Sequence, residues 1–191
     1  IAGENQFGQA VVDIKPAPTG SGFKFTNLVP VERLPKTMAG PIEQGIREAL
    51  ENGVLAGFVT TDLEVTLVGA DYIQESASEM AYKLAGANAF REAARKAEPQ
   101  LLEPIFKVEV TTPDELMGGV IGDLNARRGK VLSMNSRAGR QVVDAECPMA
   151  MMFGYATDLR SLTQGRGVFV MEFKQFSPMA AKVAAEILQR L

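Results

Sequence analysis

The strongest constraint on the fold is an internal repeat. In TPDELMGGVIGDLNARRG (112–129), Pro113, Met117, Gly119, Asp123 and Leu124 recur 35 residues later as Pro148, Met152, Gly154, Asp158 and Leu159, ahead of Arg160-Ser-Leu-Thr-Gln-Gly-Arg-Gly. Each copy follows an alternating strand and runs into another. FKVEV precedes the first, with Phe106, Val108 and Val110 on one face and Lys107 and Glu109 on the other; GKVLSM follows the first copy and GVFVMEF the second. Two successive strand-helix-strand units imply a four-stranded antiparallel sheet with both helices on one face, the split βαβ or ferredoxin-like arrangement.

Local signals set the ends of these helices. Thr112 reads as the N-cap of the first, Pro113 as its first helical residue and Glu115 as the partner closing a capping box. Leu116, Val120, Ile121 and Leu124 form its apolar stripe, and Gly129 its stop. Gly165 and Gly167 end the second helix in the same way. Arginines at such an end, Arg127, Arg128 and Arg166, are favoured by the negative pole of the helix dipole. No GxxxxGK[ST] stretch occurs, so a phosphate-cradling P-loop is not expected in this chain.

The first half reads β-β-α-β-α. Strands are expected over 9–15 and 23–29, joined by the turn-rich PAPTGSG, and a helix over PIEQGIREALENG with Pro41 in its first turn. Ile42, Ile46, Ala49 and Leu50 line one face of that helix, and Gly53 ends it. In TTDLEVTLVG, Leu63, Val65 and Leu67 alternate with Asp62, Glu64 and Thr66, as in a strand with one wet face. Ser76 and Glu79 have capping-box spacing for a helix to about Lys96, whose alanines and Gly86 suit close packing on a sheet. The PQLLEP segment, Pro99 to Pro104, reads as the boundary. The expected architecture is α+β in two domains: an elongated β/α domain over 1–100, a ferredoxin-like βαββαβ domain over 101–176, and a C-terminal amphipathic helix over 177–191.

Composition narrows the chemistry. There is no histidine, which removes the commonest neutral-pH acid/base and the commonest zinc ligand. The single cysteine, Cys147, can form neither an internal disulfide nor a cysteine metal cluster, and with no imidazole to activate it reads as a buried structural thiol. Glu75 and Glu79 read as cap and surface, and Asp158 and Arg160 as surface charges. Catalysis by this chain is not expected, nor any cofactor or metal held by it. Net charge is −3, so an anion-binding role must be local. Residues 1–100 carry nine basic against thirteen acidic side chains, and residues 101–191 eleven against ten. No apolar run is long enough to span a bilayer. The expectation is a soluble, cytoplasmic, monomeric protein, and the entry into a strand without an initiator Met reads as a piece of a longer chain.

Two loops in the first half join strand to helix, VPVERLPKT (29–37) and VGADYIQES (68–76). If they leave one end of a sheet they form a shared tip. Arg33, Lys36, Tyr72 and Gln74 would then present charge, an aromatic face and amides together, a mixture suited to RNA backbones and splayed bases.

These motifs have a family likeness. ENGVLAGF, SASEMAYKLAGANAFREA, LLEPIFKVEVTTPDELMGGVIGDLNARRG, MFGYATDLRSLTQGRG and GENQFGQAVVDIKP resemble the last two domains of bacterial translation elongation factor G, in order, over essentially all 191 residues. The resemblance implies an elongated β/α domain, like the second domain of a small-subunit ribosomal protein, followed by a ferredoxin-like domain. It implies a GTPase portion ahead of Ile1, which would hold GTP and Mg. It also implies partners: the ribosome through both subunits and their RNA, with tRNA and mRNA at the tip. On this chain the tip would be loops 30–37 and 71–76, and the large-subunit contacts would draw on 113–128 and 154–167. Arg127, Arg128, Arg160 and Arg166 are the candidates for phosphate contacts there.

The chain departs from the family pattern at the tip. Val31 and Glu32 stand where a glycine pair is usual, before a retained Pro35-Lys36, and Ile73 stands after Tyr72 where a histidine is usual. The resemblance therefore implies GTP-dependent translocation of tRNA and mRNA, with a paralogue specialised for ribosome recycling or another ribosome step as the alternative. From a different class, the ferredoxin-like half alone could be a small-molecule regulatory module.

Overall fold

The structure, a computed structural model, describes residues 6–190. The chain forms two compact units, one built from residues up to Leu101 together with the chain from Ala180 onward, the other from Leu102–Met179.

The first unit follows the order β1 (Val11–Pro16), β2 (Phe23–Asn27), α1 (Lys36–Asn52), β3 (Leu63–Gly69), α2 (Glu79–Lys96). β3 is the central strand. β1 runs antiparallel to it and β2 parallel, so the first two strands are sheet neighbours of β3 and not of each other. Leu63, Val65 and Leu67 point into a core shared with Ile42, Ile46, Ala49 and Leu50 of α1 and Tyr82 and Phe90 of α2.

Local capping differs from the sequence reading at two places. α1 starts at Lys36, so Pro41 lies inside it. The N-cap of α2 is Ser78, whose hydroxyl accepts from the Ala81 N–H at 3.1 Å. Ser76 is taken up elsewhere: its carbonyl accepts from Phe7 N–H, beside a bridge between Phe7 and Ala77. Gly45 of α1 and Gly86 of α2 face the backbone of the opposite helix and not the sheet. A Cβ on Gly45 would sit 1.9 Å from the Lys83 carbonyl oxygen, and one on Gly86 2.4 Å from that of Ile42. α1 and α2 thus cross backbone to backbone.

The second unit is β4 (Leu102–Thr112), α3 (Met117–Ala126), β5 (Lys130–Arg137), β6 (Arg140–Pro148), α4 (Tyr155–Leu162), β7 (Val168–Pro178), with sheet order β5-β6-β4-β7, all antiparallel. This is the ferredoxin-like topology that the repeat implies. Pro104 is tolerated within β4 because it faces only β7; pairing with β6 begins at Ile105. α5 (Ala181–Leu188) follows, after β7 has taken Ser177 and Pro178.

The repeat is also a repeat of detail. After each strand comes an extended proline, Pro113 with ψ 150° and Pro148 with ψ 134°, then one 3-10 turn, Asp114–Leu116 or Met149–Met151, then the helix. Thr112 is the last strand residue and not a cap, because Pro113 holds the chain extended one residue further. Both helices close on the same motif. The N–H of Gly129 reaches Leu124 O (2.8 Å) and that of Arg128 reaches Asn125 O, while Gly165 reaches Arg160 O (2.8 Å) and Gln164 reaches Ser161 O. The left-handed residue after α3 is Arg128, with φ 57°. Gly129 is required for room, since a Cβ there would lie 2.6 Å from the Cys147 sulfur.

One side chain ties the two copies together. Arg127 donates to Asp123 on its own helix at 2.8 Å, to Asp158 on α4, and to the Met151 carbonyl at 2.6 Å, and its guanidinium lies 5.1 Å from the centre of the Tyr155 ring. Its side chain is only 12% exposed. Asp123 and Asp158 are repeat-equivalent, so a single arginine is held by the same position of both helices. Burial works against its charge and the two carboxylates more than offset this, raising its pKa. Asp158 is exposed, as the sequence reading has it, and also serves as the clamp's second carboxylate.

Two outcomes are expected. Arg127→Ala leaves two carboxylates facing an emptied site and lowers unfolding free energy by about 3 kcal/mol, measured by denaturant titration; Arg127→Lys fails to restore it, because an ammonium cannot fork to both carboxylates. Burial also pushes the Cys147 thiol up to about 11. A raised thiol pKa gives stability that is present below the unfolded value and lost as pH rises towards the folded one. Between pH 9 and about 11 the unfolding free energy therefore falls, and in Cys147→Ala this part of the slope is absent.

Candidate functional site

Parallel pairing of β2 with β3, in the register Phe23↔Leu63 to Asn27↔Leu67, makes both strands leave the sheet at the same end. The two loops that follow are anchored from below. In the first, Val29 and Leu34 are buried, and the N–H groups of Arg33 and Leu34 both donate to Pro30 O at 3.0 Å. In the second, Ala70 is buried, and the hydroxyl of the fully buried Tyr82 donates to Asp71 O at 2.6 Å. The Arg33 guanidinium bridges the loops, 2.5 Å from the Asp71 carboxylate. The shared tip expected from the sequence is present as one structural element.

Its side chains differ from the expected mixture. Val31, Glu32, Lys36, Ile73 and Gln74 are exposed, with Lys36 opening α1. Tyr72 is half-buried against the core, so part of its ring supports the loop. Arg33 is already engaged by Asp71. Among the described residues, Glu32 and Glu75 have no ion-pair partner and Lys36 has none either. The tip is therefore no basic patch.

The four candidate arginines of the second unit divide into two kinds. Arg127, expected as a phosphate contact, is engaged by the clamp, its donors directed at Asp123, Asp158 and the Met151 carbonyl. Arg128 forks onto the buried Glu103 carboxylate, with nitrogen–oxygen distances of 3.1 and 2.8 Å. A buried carboxylate left alone would be costly, so this arginine too is held by the fold. Arg160 and Arg166 are exposed. Arg160 has no polar partner among the described residues, and Arg166 meets Glu115 at 2.8 Å, an exposed pair that a stronger anion could displace.

Two further arginines join Arg166. The β5–β6 hairpin turns through Ala138 and Gly139, both at positive φ (50° and 75°), and is framed by the exposed Arg137 and Arg140. Arg140 donates to the Arg166 carbonyl at 3.4 Å. The sequence reading passed over these residues. The visible signal was RAGR, a two-residue turn between alternating strands with a cation on each side.

Among the described residues, no three His, Cys, Asp or Glu side chains cluster as metal ligands would, and no helix is long and apolar enough to cross a membrane. Cys147 is fully buried, as expected of a structural thiol.

Comparison with known proteins agrees with this architecture across both units. Residues 1–98 match the family described as elongation factor G, domain IV, and residues 100–187 match elongation factor G C-terminus. A crystal structure of a protein from Thermus thermophilus superposes with a TM-score of 0.87 at 33% identity, covering 100% of this chain and 28% of that one. The chain thus spans little more than a quarter of that relative. With both units matched in order and the split βαβ topology in place, this chain belongs to the elongation factor G family of translation factors.

Proposed function

We propose that this chain is the ribosome-binding arm of a translational GTPase that promotes GTP-dependent translocation of tRNA and mRNA. In this reading the tip of the first unit works in the decoding region, against tRNA and mRNA, and the second unit rests on large-subunit RNA. GTP and Mg would be held, and hydrolysis carried out, by a GTPase portion outside these 191 residues, so the arm itself is not an enzyme. It would act in the cytoplasm as a monomer.

The observation that carries the reading is the tip. Two loops leave one end of a sheet, are fixed by the Tyr82 hydroxyl and by buried Val29 and Leu34, and are joined by Arg33–Asp71. A displacement imposed on the sheet is then delivered to whatever the loops touch, with little lost in loop motion. On the second unit, Arg137, Arg140, Arg160 and Arg166 are the cations exposed for phosphate, while Arg127 and Arg128 hold the unit together.

A second reading has its own observation. With Val31, Glu32 and Ile73 exposed and three carboxylates (Glu32, Asp71, Glu75) against two cations (Arg33, Lys36), the tip is ill suited to RNA phosphates. This favours a paralogue whose tip serves ribosome recycling or another ribosome step.

Single-round translocation by the full-length protein on pre-translocation ribosomes separates the two. Translocation predicts GTP-dependent movement by the natural protein, slowed about tenfold by Arg33→Ala, a loss of roughly 1.4 kcal/mol. Movement only after Val31→Gly, Glu32→Gly and Ile73→His would establish the second reading, and none with either protein would end the first. For the second unit, Arg160→Ala with Arg166→Ala is expected to reduce the slope of log affinity for the ribosome against log salt by about two. An unchanged slope would remove these residues from the RNA contact.

A further inference from the structure

α1 and α2 cover one face of the first unit's sheet, and the opposite face changes character along its length. At the end remote from the tip, Lys15 and Lys24 flank Glu64 at 2.9 and 3.9 Å. The next row, in register, is Asp13, Thr66 and Thr26. At the tip end the row is Val11, Val68 and Leu28, exposed by 48%, 40% and 65%. Alternation puts these on the open face, since Val12, Leu67 and Val29 on either side of them pack into the core. The β1–β3 register skips Val68, and the residue opposite Val11 is Gly69, which has no side chain to cover it. Val31 and Ile73, exposed by 53% and 44%, lie on the loops that continue from β2 and β3.

Charge around this apolar strip is net negative. Asp13, Glu32 and Glu75 are exposed and without ion pairs among the described residues, and Arg33 is neutralised by Asp71. Only Lys36 stands against them. Nucleic acid would meet net repulsion here and find no aromatic side chain in the row for its bases to stack on.

We propose that this strip is a docking surface for a cationic polypeptide segment, one that places apolar side chains against Val11, Leu28 and Val68 and lysines or arginines against Asp13, Glu32 and Glu75. Apolar contact at the centre with opposite charge at the rim is the usual make-up of a protein interface. The inference concerns the partner of this face and holds whether or not the arm translocates tRNA.

Amide chemical shifts of the 191-residue chain test it, titrated with a peptide of alternating lysine and leucine, a lysine–serine peptide of equal length and charge, and oligouridylate. The lysine–leucine peptide is expected to shift Val11, Leu28, Val68 and Ile73, and to bind less tightly as salt is raised. Leu28→Ser with Val68→Thr, both at exposed positions, should weaken it about tenfold, and Asp13→Asn with Glu32→Gln should weaken it without altering the apolar strip. Equal binding of the lysine–serine peptide, occupation of the same amides by oligouridylate, or indifference to both pairs of substitutions would each overturn the proposal.

Discussion

A largely buried guanidinium shared by two helices is the interaction on which the second unit depends. Arg127 stands at the end of α3, and its donors find Asp123 beneath it, Asp158 on α4 and the carbonyl of Met151 in the turn that leads into α4. Removing a guanidinium from water is expensive, and only a nearly complete set of acceptors offsets the cost. Its planar fork supplies donors in several directions at once, which an ammonium cannot do. The repeat explains why the acceptors are there: Asp123 and Asp158 occupy the same position in two copies of one motif, so packing the helices side by side presents two carboxylates to one cation. Beside this clamp the core of the unit is apolar, with Val120, Leu124, Tyr155 and Leu159 on Val108, Val110, Val143 and Ala145.

The clamp also bears on function, because it divides the arginines. Arg127 and Arg128 answer to carboxylates inside the fold, whereas Arg137, Arg140 and Arg166 gather at the hairpin end and Arg160 stands alone on α4. The first unit joins its helices by close backbone packing, with one ion pair between Glu48 of α1 and Lys83 of α2 at 2.7 Å. Gly45 and Gly86 let α1 and α2 cross with backbones touching, which places Tyr82 where its hydroxyl can hold the second tip loop. In both units a rigid helix pair behind a sheet fixes the place of groups that face outward. That is the property an arm needs if it is to push on a partner, and it leaves the chemistry of the tip free to vary.

Periodicity made most of this legible. The 35-residue repeat led to the sheet order, and the alternation of Leu63, Val65 and Leu67 gave the buried face of β3. Where the reading failed, a local signal lost to a tertiary one. Ser76 has capping spacing with Glu79, yet its backbone is drawn into a bridge with Phe7, and Ser78 caps instead. Gly129 looks like the residue that turns left-handed, but Arg128 does so, leaving glycine where Cys147 allows no side chain. The partners of Arg127 were not legible, because spacing alone cannot say that a charge 31 residues on, Asp158, folds back to meet it. Arg137 and Arg140 were missed because a hairpin turn was visible and its neighbourhood beside Arg166 was not.

A double-mutant cycle addresses the clamp most directly. Asp123→Asn and Asp158→Asn are each made in the natural chain and in Arg127→Met, and the unfolding free energies are compared. If one arginine unites the two helices, both substitutions destabilise the natural chain and cost almost nothing once Arg127 is gone, so the coupling energies are about as large as the single effects. If each aspartate costs the same in the Arg127→Met chain as in the natural one, the carboxylates act independently of the guanidinium. In that case Arg127 is no clamp, and the ground for leaving it out of the proposed RNA contacts fails with it.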